Sequence, residues 1–197
     1  MSADRRQALP VTCTTAGEGF PLLLLPGADG TATVWEQYVP LLSELCRTIT
    51  YSVPATVSHD ITLIQALSTG LALERLYLAC QSHAWPLAVQ YARHHAAHLE
   101  ALLFLETEAA SLHSAPLDDG ALADASGHPI TVPTLLLLAE QHAARPRVEA
   151  LRACLSRSTG VLLAPADTVL SAAHAMMRFL VHCERQRTLV RGASFLL

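Results

Sequence analysis

The stretch Gly19-Phe20-Pro21-Leu22-Leu23-Leu24-Leu25-Pro26-Gly27 decides how the chain reads. Four consecutive leucines between breakers are too few for a helix. A continuous apolar run of this length marks a strand buried on both faces. Working outward, residues 34–46 are amphipathic, with a helix start expected at Pro40, because proline suits the first helical turn. Residues 48–53 are β-rich and stop at Pro54. Residues 61–73 place Ile61, Ile64, Leu67 and Leu71 at helical spacing. The same alternation then repeats: strands over 76–80, 101–105, 134–139 and 161–164, helices over 85–98, 146–155 and 170–185. Short apolar strands alternating with amphipathic helices predict an α/β fold, a mostly parallel sheet covered by helices on both faces. We expect a single domain over residues 1–197, without internal repeats. The polar stretch 106–129 is the one candidate insertion, a very short lid.

Composition narrows the function classes. Of 197 residues, 51% are hydrophobic and 15% charged, so part of the surface is expected to be apolar or covered by a partner, such as a second copy in a homodimer. The formal charge is −4, and all 13 basic residues are arginine, with no basic tract. That argues against nucleic acid as a partner. No apolar run approaches the roughly 18 residues of a spanning helix, and residues 1–10 lead into no apolar segment of a signal peptide, so no membrane role is expected. Cys13, Cys46, Cys80, Cys154 and Cys183 are scattered without metal-ligand spacing, which reads as reduced thiols in a cytoplasmic protein.

In open parallel sheets, ligands bind beyond the carboxyl ends of the strands. Cys80-Gln81-Ser82-His83-Ala84 follows one such strand and opens a helix, with small residues two before and two after Ser82. A nucleophile on a sharp strand-to-helix turn needs small flanks there, because the turn presses those positions against neighbouring backbone. The turn would lift the Ser82 hydroxyl above the sheet and aim the following amides at a developing oxyanion. Glu106 and Glu108 follow another strand, where the plain reading is solvated loop charge and the sharper one an acid in a rearranged triad. His94 and His98 share a helix face at i, i+4 spacing, but no acid motif accompanies them, so no metal is expected. His113 and His128 lie in the 106–129 stretch and could reach inward. His174 sits deep in the last helical pattern, a surface or packing position. Trp35 and Trp85 read as core or pocket wall.

Leu25-Pro26-Gly27-Ala28-Asp29-Gly30-Thr31, followed by Val34-Trp35 and Pro40-Leu41-Leu42, resembles the oxyanion-loop segment of α/β-hydrolases, in particular a bacterial branch with an LPGxDGT loop. Ser82-His83-Ala84-Trp85-Pro86-Leu87-Ala88 is similar to that branch's nucleophile elbow, and Val132-Pro133-Thr134-Leu135 to the lead-in of the strand that carries the triad acid. The resemblance implies Ser82 as nucleophile and the Ala28 and His83 amides as oxyanion hole. It also marks a departure. His142 stands where the family has its acid, and Asp167 where the family has its histidine, so acid and base are exchanged or absent. Ser82, His142 and Asp167 could meet as a triad in the order Ser-His-Asp. In the plain reading His142 is a solvated loop histidine beside Arg145, and Asp167 caps the final helix.

Two functions follow. The first is a serine esterase or thioesterase, acting on a small-molecule acyl ester or thioester with no cofactor. The second is a catalytically degenerate pseudo-hydrolase that binds an apolar ligand or a partner protein.

Overall fold

The computed structural model describes residues 11–106, 129–139, 146–163 and 169–193. Its centre is a seven-stranded sheet in the order β1-β3-β2-β4-β5-β6-β7. The strands are β1 Thr12–Ala16, β2 Pro21–Leu24, β3 Arg47–Ser52, β4 Leu76–Gln81, β5 Leu99–Glu106, β6 Thr134–Ala139 and β7 Ser158–Leu163. All pairings are parallel except that of β1 with β3, where Thr14 faces Thr50. β1 is the strand that the sequence pattern does not announce. Its residues Thr-Cys-Thr-Thr-Ala are mostly exposed, so it shows no apolar run.

The helices are α1 Val39–Leu42, α2 Ile61–Gly70, α3 Trp85–His95, α4 Pro146–Cys154 and α5 Val169–Ala193. The amphipathic stretch 34–46 is not one helix. It breaks into a 3-10 turn at Thr33–Trp35 and the single turn of α1, with Pro40 in the first turn as expected. α2 begins on Asp60, whose carboxylate accepts from the Thr62 and Leu63 amides, and this satisfies two of the helix's unbonded first-turn donors.

Alternate residues along each strand point to opposite faces, and the core divides accordingly. Leu23, Leu25, Leu78, Cys80, Phe104, Leu136 and Leu138 pack against α2, α3 and α4, with Trp85 edge-on to Phe104 at 5.9 Å. Leu22, Leu24, Ala79, Leu103, Leu105 and Leu137 pack against Trp35, α1 and α5. Trp35 and Trp85 are thus both core. The two-sided burial explains why β2, β4 and β6 read as unbroken apolar runs. None of the five cysteines is in a disulfide. Among the described residues no helix is long and apolar enough to cross a membrane.

Candidate active site

β2 and β4 are parallel neighbours, Leu24 beside Ala79, so the segments that follow them emerge at the same edge of the sheet. The ladder runs one residue further through the Leu25 amide to the Ala79 carbonyl, 2.9 Å. Then the chain turns sharply. The Gly27 amide donates to the Thr31 carbonyl (2.7 Å) and the Gly30 amide to the Gly27 carbonyl (2.9 Å). Gly30 has φ +76°, and a Cβ there would stand 2.6 Å from the Val53 carbonyl oxygen. Only glycine accommodates both the left-handed backbone and that approach.

The Asp29 carboxylate closes this loop on itself. It accepts from the Thr31 amide at 2.9 Å and the Thr31 hydroxyl at 2.8 Å. These bonds, with a smaller contribution from His83, hold its pKa below the usual carboxylate value. The loop is also tied to β3. The Val53 amide donates to the Gly30 carbonyl (2.8 Å), and the Ala32 amide to the Ser52 hydroxyl (3.3 Å). From beneath, the Trp35 indole donates to the Leu25 carbonyl at 2.5 Å. Ala28 sits exposed at the crest, and among the described residues nothing accepts its amide.

On the neighbouring strand, Leu76–Gln81 is buried throughout and runs directly into a 3-10 turn, Ser82–Ala84, which continues as α3. Cys80 and Ala84, the small flanks of Ser82, are 1% and 4% exposed, so larger side chains would not fit. The His83 imidazole reaches across to the first loop, with Nε2 2.8 Å from the Pro26 carbonyl. A carbonyl only accepts, so Nε2 carries the proton in this contact. His83 therefore fastens the Ser82 turn to the loop bearing Ala28 and is not a base through Nε2.

The structure brings Ser82, His83 and Ala28 to one edge. His142 and Asp167 lie outside the described residues, as do Glu108, His113 and His128. Glu106 is no solvated loop charge. β5 extends to include it, and it is 4% exposed, near the similarly buried Gln81 at the end of β4. His174 is exposed on α5. Among the described residues, no group of three potential metal-ligating side chains converges.

One residue of this edge has no motif around it. His59, in the segment between β3 and α2, is half-buried, with Nε2 2.9 Å from the Tyr51 hydroxyl. Burial, with a smaller contribution from His83, lowers its pKa below the usual histidine value, while Asp60 opposes the shift. The signal for it is the general one that groups following a parallel strand line the functional edge, which applies to β3 as it does to β4.

Solved structures share this arrangement of strands and helices. The chain superposes with a TM-score of 0.71 on a Pseudomonas aeruginosa protein designated an epoxide hydrolase, at 13% identity over 89% of this chain and 93% of that one. A membrane phospholipase A described as a bacterial virulence factor gives 0.68, at 16% identity over 88% and 83%. A meta-cleavage product hydrolase from Pseudomonas fluorescens gives 0.65, at 12% identity over 90% and 94%. The chain has the α/β-hydrolase fold. No protein-family model matches it, and no curated protein matches it by sequence. In this fold the loop after β2 and the turn after β4 adjoin at the carboxyl edge, which is where Ala28, Ser82 and His83 stand.

Proposed function

We propose that this protein is a serine hydrolase of carboxylic esters or thioesters, with Ser82 as nucleophile. The observation that carries the reading is the joint between two neighbouring strands. Ser82 stands where a fully buried strand turns into a helix, and the loop beside it carries an exposed amide at Ala28 that is braced by Gly30, Asp29 and Trp35. Structural likeness to hydrolases of the same fold supports it.

In this mechanism the Ser82 hydroxyl oxygen bonds to the acyl carbon while its proton passes to His142, oriented by Asp167. The Ala28 and His83 amides hold the oxyanion. Amides fixed by surrounding bonds need not reorganise as charge develops, and this is where such a site gains its rate. The carbon–oxygen or carbon–sulfur bond then breaks, and the leaving alkoxide or thiolate takes the proton from His142. Water attacks the acyl-enzyme, gives a proton to His142, and releases the acid with Ser82 restored. No cofactor enters.

A second reading has one feature in its favour. The segments after β6 and β7 carry histidine and aspartate in the reverse of the usual family order, and that suits a pseudo-hydrolase binding an apolar ligand or partner without turnover. Fluorophosphonate labelling and p-nitrophenyl acyl esters of several chain lengths separate the readings. Labelling that disappears in Ser82→Ala, with turnover lost in His142→Ala and Asp167→Ala, is expected for the hydrolase. No labelling and no turnover above the Ser82→Ala background would leave the binding reading.

A further inference from the structure

The opposite, amino edge of the sheet holds a cleft of about 900 Å³ under the starts of β5, β6 and β7. A strand of six residues separates it from the Ser82 edge by roughly 20 Å. Its volume falls within the range of small-molecule pockets.

In a chain of net charge −4, Arg75, Arg157 and Arg187 all line this one cleft. Two carboxylates answer them. Glu100 lies 3.0 Å from Arg75 and 3.9 Å from Arg187, and Glu184 lies 2.6 Å from Arg187. Glu184 is further occupied by the Tyr77 hydroxyl at 2.6 Å. Among the described residues no carboxylate pairs with Arg157. Arg187 commits its terminal nitrogens to carboxylates, and its buried Nε has no acceptor among the described residues. Ser158 and Thr159 at the start of β7 line the cleft next to Arg157 in the chain, while Phe179 of α5 and Val132 supply apolar wall.

We propose that this cleft is a second binding site, for a small organic anion with an oxyanion group on an apolar body. Arg157 supplies the charge that captures the anion. A hydroxyl of the neighbouring strand start donates to its oxygens, and the apolar wall takes the body. Guanidinium suits carboxylate and phosphate alike, because its fork matches two oxygens at once. The site does not depend on the hydrolase reading, since none of its residues belongs to the Ser82 edge.

Titration calorimetry with hexanoate, hexyl phosphate, inorganic phosphate and 1-hexanol tests it, with amide NMR shifts locating the contact. Saturable binding of hexanoate or hexyl phosphate, with shifts at Ser158, Thr159 and Gln186, is the expected result. Arg157→Ala, an exposed position, should weaken it at least ~10-fold, Arg157→Lys less, and Ser82→Ala not at all. Whichever of the two anions binds better tells a carboxylate from a phosphate ester as the natural chemistry. Lack of saturation for both anions, equal binding by Arg157→Ala, or loss of binding in Ser82→Ala would overturn the proposal. Inorganic phosphate or hexanol binding as tightly as the best organic anion would overturn it too, by removing the need for an apolar body or for charge.

Discussion

The two edges of one sheet hold their polar groups by different means. At the carboxyl edge, the loop 26–31 and the turn at Ser82 are fixed by backbone amides, a glycine at positive φ, and side-chain donors from Trp35 and His83. At the amino edge the fixing is done by ion pairs among Arg75, Glu100, Glu184 and Arg187. Backbone bonds fix position to fractions of an ångström, which transition-state stabilisation needs. Long charged side chains give attraction with looser placement, which suits holding an anion and does little for orienting a reaction. On the readings proposed above, one edge serves chemistry and the other charge.

The largest expected effect falls on the carboxyl edge. Ser82→Ala should lower kcat for acyl esters by about 10³-fold or more while leaving thermal stability nearly unchanged. An equal loss of both would move Ser82 from chemistry to structure. Next is Gly30→Ala. The added Cβ meets the Val53 carbonyl at 2.6 Å on a backbone of φ +76°, so the loop must shift. A cost of about 2–3 kcal/mol in urea unfolding is expected. Fluorophosphonate labelling should fall as well, because the Ala28 amide moves with the loop. Full labelling in a destabilised Gly30→Ala would separate the loop from the oxyanion.

The sheet was legible because double burial writes itself as uninterrupted leucine, at Leu22 to Leu25 and Leu135 to Leu138. β1 was not, since its ladder with β3 rests on backbone bonds that threonine and cysteine make as well as valine does. The Ala28 and Ser82 segments were legible because small residues and glycines are forced by close approach, a constraint visible at specific positions. Glu106 was misread because acidity alone does not reveal that its strand runs one residue further into the core. His59 was missed for the reverse reason. Its place at the edge comes from the Tyr51 hydroxyl on another element, and no local spacing encodes that contact. The amino-edge cleft likewise gathers Arg75, Arg157 and Arg187 from three distant parts of the chain.

Smaller effects probe how each edge carries its charges. Glu100→Gln strips the amino edge of a carboxylate that is largely enclosed, 12% exposed, and faces two arginines. A loss of about 1–2 kcal/mol is expected, shrinking as salt is raised. A loss insensitive to salt would mean that packing, and not charge, holds this edge together.

The smallest effect concerns His59, where the carboxyl edge keeps a titratable ring neutral. Its pKa in the fold is lowered, so between that value and the ordinary histidine pKa near 6.5 the unfolded chain binds a proton that the folded one refuses. Stability from this group is therefore complete above about pH 6.5 and is lost as pH falls below it, until the folded ring also protonates. His59→Gln keeps a polar partner for the Tyr51 hydroxyl and removes the titration. Urea unfolding at pH 7.5 and 5.5 should then show the wild type losing some tenths of a kcal/mol more than the variant between the two values. Asp60 works against the shift and limits its size, and the other histidines cancel in the difference between the two proteins. Equal losses would mean that Tyr51 holds His59 as well when charged as when neutral. The carboxyl edge would then accept a cation, and the contrast with the arginine-lined edge would weaken accordingly.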